Sequence, residues 1–348
     1  MKKHKTIFLN VVYLTDIKKG DENTMEKEIK TIGVLTSGGD APGMNAAVRA
    51  VVRVASYYGI KVYGIEKGYN GLIHGELREL TARDMSGILN MGGTFLRTAR
   101  CPEFKTKEGV EQAVSIARVF GLDGLVAIGG DGTFRGAKDL CEAGLPTIAV
   151  PGTIDNDISS TEYTVGFDTC LNTVVEAVDK LRDTSQSHER CSVIEVMGRH
   201  AGYIALESGI ASGADVILIP EKEWDFEKDV IRPILEAKQR RKHHAIVIVA
   251  EGVGGAADLA KRIEKATGVE SRATILGHVQ RGGTPTVRDR VMASRLGAKA
   301  VELLIEGKEN RIVCSKESKI VDVDIQEGLT ETKTVSDEMV KLAKMLAI

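Results

Sequence analysis

The sequence lacks a charge bias: 47 Lys and Arg residues face 49 Asp and Glu across 348 residues, a formal net charge of −2. Nucleic acid and anionic membrane surfaces call for a basic excess, so neither is an expected partner. Any anion site must be assembled locally, from placed arginines and backbone N–H groups. A long apolar run is also missing, and nothing approaches the roughly 20 residues of a membrane span. Residues 1–30 are basic, then briefly apolar at 7–9 and 11–14, without the longer core and small-residue cleavage site of a secretory signal. They read as a disordered extension over 1–25, with Met25 a candidate start. The five cysteines (Cys101, Cys141, Cys170, Cys191 and Cys314) form no CxxC pair and have no neighbouring His to complete a zinc site. Reduced thiols in a cytoplasmic protein are the expectation.

What is present is an ordinary globular composition, 43% hydrophobic and 28% charged, long enough for about two domains. Short apolar runs at 32–36, 62–65, 125–128, 147–150, 193–196, 216–219, 245–249 and 274–276 read as strands. Helix-length stretches lie between them at 45–58, 109–120, 171–182 and 226–241. Continuous apolar strands separated by helices describe a doubly wound α/β protein with a parallel sheet covered on both faces. Such sheets bind ligands beyond the carboxyl ends of their strands. Gly and Asp cluster at those ends five times, at 37–43, 129–132, 151–157, 197–202 and 277–283.

Three of these loops carry chemistry. SGGDAPGMN, residues 37–45, follows a strand and opens a helix, where glycine permits close backbone approach and the free N–H groups favour an anion. It matches neither the Rossmann nor the Walker spacing, and a bare strand-to-helix turn explains it as well. GGDGT, residues 129–133, leaves room for a triphosphate, with Asp131 as an oxygen ligand suited to Mg²⁺. PGTIDND, residues 151–157, brings two carboxylates together; one can act as a base, or both can belong to an Asx-rich turn. Arg190, Arg199, Arg272 and Arg281, with His278, are available to a phosphorylated second substrate. The residues by themselves lead to a phosphate site on an α/β sheet.

Taken together, the motifs LTSGGDAPGMNAAVR, GGTFLRTARCPEF, IGGDGTF, PGTIDND, TVGFDT, LRDTSQSH, VMGRHAGY, TILGHVQRGG and DRVMASRLGA closely resemble the bacterial ATP-dependent 6-phosphofructokinase family, from about Thr31 to about Lys308. GGDG is shared with NAD and lipid kinases; PGTIDND, GGDAPGMNAA and GHVQRGG are far more specific. The resemblance implies two Rossmann-like doubly wound domains with the active site between them. The larger, ATP-binding domain would be 26–166 plus 279–330, and the smaller, fructose 6-phosphate-binding domain 167–278 plus 331–348.

The resemblance also implies roles. Asp155 is the general base on the sugar 1-hydroxyl, Thr153 contacts the transferring group, and Arg199 and Arg100 stabilise its charge. Asp131 holds the Mg²⁺ that accompanies ATP, and Gly39, Arg100, Cys101, Gly130, Gly132 and Thr133 complete the nucleotide site. Ile154, Met197, Gly198, Glu251, His278, Val279, Gln280 and Arg281 join Thr153, Asp155 and Arg199 around fructose 6-phosphate. Arg190 and Arg272 reach in from a neighbouring subunit of a homotetramer. Arg49, Arg53, Arg182, Asp215 and Lys242 match an effector pocket for ADP and phosphoenolpyruvate, although Ala82 stands where the family has an arginine and Asp215 where it has a glutamate. Pyrophosphate-using relatives resemble GGDD and PKTIDND at the two key loops; Gly132 and Gly152 here point to ATP. The alternatives are a pyrophosphate-dependent enzyme of the same fold and a non-catalytic nucleotide-binding regulator.

Overall fold

The structure, a computed structural model, describes residues 29–330 and 333–347. The extension expected over 1–25 lies outside the described residues. In chain order the strands are β1 (Thr31–Thr36), β2 (Lys61–Ile65), β3 (Leu77–Leu80), β4 (Gly124–Gly129), β5 (Thr147–Pro151), β6 (Cys191–Val196), β7 (Val216–Leu218), β8 (Ala245–Ala250), β9 (Ser271–Ile275), β10 (Arg311–Lys316) and β11 (Lys319–Asp324). The helices are α1 (Met44–Tyr57), α2 (Tyr69–His74), α3 (Lys107–Val119), α4 (Asp131–Glu142), α5 (Phe167–His188), α6 (Tyr203–Ala211), α7 (Arg232–Gln239), α8 (Ala256–Thr267), α9 (Val287–Ile305), α10 (Ile325–Thr330) and α11 (Asp337–Leu346).

The strands form two sheets, as two Rossmann-like domains require. A seven-stranded one runs β11-β10-β5-β4-β1-β2-β3, and a four-stranded one runs β7-β8-β6-β9. The smaller is parallel throughout, with β6 and β8 mainly apolar and almost wholly buried and β9 an exposed edge. The larger is mixed: β3 and β11 pair antiparallel at its two edges, while β10 returns from the far end of the chain to pair parallel with β5. The strand expected over 274–276 lies instead at Ser271–Ile275, because Leu276 turns to helical angles and opens a 3₁₀ turn, Gly277–Arg281. The helix expected over 226–241 is divided into a π-helical turn, Phe226–Ile231, and α7. Pro233, in the first turn of α7, has no N–H to donate back to the preceding turn, which frees that turn to widen.

Adjacent strand residues face opposite ways, and the core follows that alternation. Val34 and Val126 point into a cluster that continues through Val174 and Val178 of α5 to Ile194 and Ile248 of the smaller sheet. Leu35 and Leu125 point to the other face, under Phe134 of α4. A third cluster, with Val193, Val247 and Ile263, covers the outer face of the smaller sheet. The first cluster is continuous across both sheets and fixes the carboxyl ends of their strands on one shared cleft. Among the described residues no helix is long and apolar enough to cross a membrane.

Candidate active site

The cleft is a cavity of about 140 Å³ lined by residues that follow β1 (Ser37–Asp40), β4 (Gly130–Thr133), β5 (Gly152–Asp155, with Asp157), β6 (Arg199) and β9 (Arg281). Five loops expected from Gly and Asp clustering therefore meet at one place. The first two pack backbone against backbone. Ser37 N–H donates to the Ile128 carbonyl at 3.0 Å, and a Cβ on Gly129 would stand 2.3 Å from Thr133 Oγ1 and 2.4 Å from the Ser37 carbonyl oxygen. Only glycine fits there. The Arg281 guanidinium lies over Gly39, 3.3 Å from where a Cβ would be, so the cation reaches the first glycine loop rather than solvent.

Asp131 opens α4, where a carboxylate is favoured by the exposed N–H groups. Its side chain is 44% exposed and pairs with Arg135 one turn on, at 3.1 Å. An exposed pair of this kind contributes about 0.3–0.5 kcal/mol, too little to hold the carboxylate against a divalent cation. Mg²⁺ characteristically takes one or two carboxylates and fills its octahedron with water and substrate phosphates. Among the described residues no group of three or more His, Cys, Asp or Glu side chains can hold a metal ion alone. Asp131 in a cleft otherwise lined by glycine and threonine fits an ion that brings its remaining ligands with a nucleotide.

Asp155 is the least ordinary group. It is 4% exposed, its Oδ1 is buried without a hydrogen-bond partner, and its Oδ2 lies 3.4 Å from Arg199 Nε. Burial is the largest influence on this carboxyl and Asp157 adds to it; Arg199 and Arg281 oppose them and lose, so the pKa is pushed up to about 6. Arg199 is 58% exposed, so its attraction is screened, whereas the burial of Asp155 is nearly complete. A carboxylate with one unpartnered oxygen and a pKa near neutrality is equipped to accept a proton. The loop holds it there: Thr164 Oγ1 donates to the Thr153 carbonyl at 2.7 Å, Thr153 Oγ1 accepts from Asp155 N–H at 3.2 Å, and Asn156 turns through a left-handed φ of 51°.

Glu251 and Gln280 act on their neighbours. Glu251 Oε1 accepts from the backbone N–H groups of Gly198, at 3.1 Å, and Arg199, at 2.5 Å, and this clamp keeps Arg199 in its left-handed φ of 54°. Gln280 is fully buried and its Oε1 accepts from Met197 N–H at 3.2 Å. Ile154 is buried in the shared core. Glu251 and Gln280 thus shape loops, and Ile154 also lines the cavity. His278 and Val279 are exposed and do not line the cavity. Arg100, exposed, and Cys101, half-buried, follow Thr98, whose hydroxyl donates to the Gly38 carbonyl at 2.8 Å; they too stand outside the cavity lining.

Arg190 and Arg272 are not brought into the cleft. Arg190 immediately precedes β6 and Arg272 is the second residue of β9, at the amino ends of strands whose carboxyl ends carry Arg199 and His278. A strand of five or six residues spans about 17–20 Å, too far to fold back. Both instead grip Glu270, at 2.9 and 2.5 Å. The expected effector residues also fall into two groups. Lys242 Nζ pairs with Asp215 at 2.5 Å, and Arg182 donates to the carbonyl of Ser212, three residues from Asp215. Arg49 and Arg53 lie one turn apart on α1, and among the described residues no hydrogen bond or ion pair joins them to the other three.

The family model for phosphofructokinase matches residues 31–304, from the first residue of β1 to the end of α9. The chain belongs to the phosphofructokinase family. ATP-dependent 6-phosphofructokinases of Clostridium botulinum and Clostridium acetobutylicum are 56% and 57% identical over 319 residues, which is 92% of this chain and the whole of each relative. The solved phosphofructokinase of Saccharomyces cerevisiae superposes with a TM-score of 0.82 at 35% identity, over 92% of this chain and 48% of its own, so this chain spans about half of that larger polypeptide. A pyrophosphate-dependent phosphofructokinase from Marinobacter aquaeolei has a TM-score of 0.81 at 22% identity, covering 89% of this chain and 86% of its own, and shares the fold.

Within the family, Gly132 and Gly152 were expected to mark the phosphoryl donor together. The structure separates them. A Cβ on Gly132 meets nothing within 4 Å and would project into open space, whereas one on Gly152 would press on Ile128 and Met44, all at 3.1–3.3 Å. A side chain at 152 would need Met44 or Ile128 to shift by a few tenths of an ångström, and Gly132 is the position that leaves open space at the cavity.

Proposed function

We propose that the chain is an ATP-dependent 6-phosphofructokinase, transferring the γ-phosphoryl group of ATP to the 1-hydroxyl of fructose 6-phosphate. The observation that carries the reading is the buried, half-unpartnered Asp155 in the same cavity as Asp131 and Arg199, in a chain whose full-length relatives are ATP-dependent. A regulator that only bound nucleotide would have no use for a carboxyl held near neutrality in a dry site.

In this reading the sugar hydroxyl donates to Asp155 Oδ1. As its oxygen bonds to the γ-phosphorus, the bond from that phosphorus to the β–γ bridging oxygen breaks, ADP leaves, and the hydroxyl proton passes to Asp155. Arg199, anchored through its own N–H on Glu251, and Arg281, beside Gly39, stand where charge spreads over the transferring group. The N–H groups at the start of α4 take the nucleotide phosphates. Asp131 is the carboxylate that would hold Mg²⁺, which when bound neutralises phosphate charge. Residues 26–166 with 279–330 supply the glycine loops and form the ATP-binding unit; residues 167–278 with 331–348 supply Arg199 and form the sugar-phosphate unit.

Asp155 must be ionised to accept the proton, so a pKa of about 6 in the free enzyme sets the acidic limb. The value of kcat/KM should fall tenfold per pH unit as pH drops below about 6 and level off above it. A limb near the ordinary carboxylate range of about 4 would remove Asp155 from the base role.

The placement of Arg190 and Arg272 favours a homo-oligomer in which each subunit lends both arginines to a neighbour, a tetramer by resemblance. Exposed Ile275 on β9 and Val279 in the turn that follows it supply apolar surface for an intersubunit contact. The separation of Arg49 and Arg53 from Arg182, Asp215 and Lys242 favours an effector pocket completed by a second copy, open to ADP and phosphoenolpyruvate. Five unpaired thiols accord with a cytoplasmic location. One experiment tests the set: a coupled assay with fructose 6-phosphate comparing ATP with pyrophosphate, with and without Mg²⁺, ADP and phosphoenolpyruvate, on protein sized by sedimentation. Turnover with ATP and Mg²⁺ by a multimer is expected. Turnover with pyrophosphate alone would overturn the donor, a monomer at full activity the shared site, and indifference to both effectors the pocket.

A further inference from the structure

Lys333 has no part in the reaction described above, yet it touches the loop that carries the base. It lies in the short crossing between α10 and α11. Its Nζ donates to Asn156 Oδ1 at 3.0 Å and to the Glu162 carbonyl at 3.4 Å, and sits over the Tyr203 ring, 4.9 Å from the centroid. Asn156 and Glu162 belong to the segment after β5, whereas Tyr203 is the first residue of α6 on the smaller sheet. A single ammonium thus bridges the two halves of the cleft.

The segment around it is anchored in the shared core. Val335, two residues on, is buried in the shared core, and Asp337 at the start of α11 pairs with Lys222 at 2.5 Å. On the other side Asn156 is 3% exposed and is held between Asp155 and Asp157 at a φ of 51°. Asn is among the few residues other than glycine that enter this conformation readily, but its side-chain oxygen then needs a donor in a dry site, and Lys333 supplies it. Asp157, Glu162 and Glu207 all face the ammonium and favour its charge, while burial outweighs them and draws it down to about 8. A buried cation so balanced is expensive to hold unless it has a task.

We infer that Lys333 is a positioning residue for the phosphoryl-transfer reaction: by fixing Asn156, it sets the direction of Asp155 and ties that loop to the half of the cleft that carries Arg199. Lys333 lies outside the sequence motifs, and Asn156, inside PGTIDND, was given no role of its own. The inference rests on the kinase reading, but the two fail separately. Absence of ATP-dependent turnover in the parent chain sinks that reading, whereas normal turnover that does not depend on Lys333 sinks this one.

The test is a double-mutant cycle on the full chain with saturating ATP. Lys333→Met keeps length and apolar bulk and removes the donor; Asn156→Gly keeps the left-handed backbone and removes the acceptor. Small misplacements of a reacting group cost up to roughly a hundredfold, so each variant is expected to lower kcat at least tenfold while the KM for fructose 6-phosphate stays within about threefold. The double variant should be no slower than the slower single one, because both changes break the same contact. Losses that multiply in the double variant, a kcat within twofold of the parent in either single one, or a rise in KM with kcat intact would overturn the inference. Should Lys333→Met not fold, Asn156→Gly reads the same contact from the other side, and unchanged kcat there is equally decisive.

Discussion

Replacing Asp155 with Asn is expected to lower kcat by roughly 10²–10⁴-fold, the range that a positioned general base contributes, with little change in the KM for fructose 6-phosphate. Asn has nearly the same shape and can still accept a hydrogen bond from the sugar, so binding persists while proton acceptance is lost. The variant should also be more stable than the parent at neutral pH. Because the folded pKa of Asp155 is raised to about 6, above its unfolded value, the group's favourable contribution is complete below the unfolded pKa and is lost as pH rises through about 6. Above that, the parent carries the cost of a buried, half-unpartnered charge, and Asn carries none. Thermal unfolding at pH 5 and pH 8 separates the cases: the gap between variant and parent should widen at the higher pH. A kcat within a few-fold of the parent would show that another group takes the proton.

Gly132→Asp is expected to reduce kcat/KM for ATP by roughly a hundredfold or more. The site can receive the side chain without disturbing the fold, because a Cβ there meets nothing within 4 Å. The added carboxylate would stand in the first turn of α4, where the nucleotide phosphates are proposed to lie. A like-charge pair at 4 Å costs about 4 kcal/mol at an effective dielectric of about 20, close to a thousandfold, and a bound cation screens part of that. ATP kinetics indistinguishable from the parent, in a protein with an unchanged unfolding midpoint, would mean that position 132 does not face the phosphates. Gly152→Lys is a poorer test, since the tight contacts with Met44 and Ile128 mix a packing change into any effect on donor choice.

The cleft was legible in the sequence to the extent that local chemistry announced it. Apolar runs followed by Gly and Asp located all five loops, because a strand end and a tight turn are written in neighbouring residues. What escaped was decided by partners far away in the chain. The hairpin of β10 and β11 turns at Glu317 and Ser318, both with positive φ, without the Asn-Gly signature that marks such turns, and its strands are rich in Lys, Arg and Asp. The edge strand β3, LREL, is too short and too polar to show alternation. Glu251 and Gln280 sit in motifs expected to contact ligand; that they also shape a loop is visible only in their distances to Gly198, Arg199 and Met197. Lys333 carried no signal, since nothing near it in sequence indicates Asn156. The division of labour between Gly132 and Gly152 was equally invisible, because it depends on which way each missing Cβ would point.

The pairing of β10 with β5 bears on how the protein is made. The larger sheet is begun by β1, β2, β4 and β5 but completed by a strand that follows the entire smaller sheet. On a ribosome, β5 emerges and waits while β6 to β9 are synthesised, with the N–H and C=O groups of its outer edge bare. Such an edge is a template for any strand that passes, and the nascent chain itself offers apolar candidates in β6 and β8. Correct assembly therefore depends on the smaller sheet closing on itself before it can occupy the place reserved for β10.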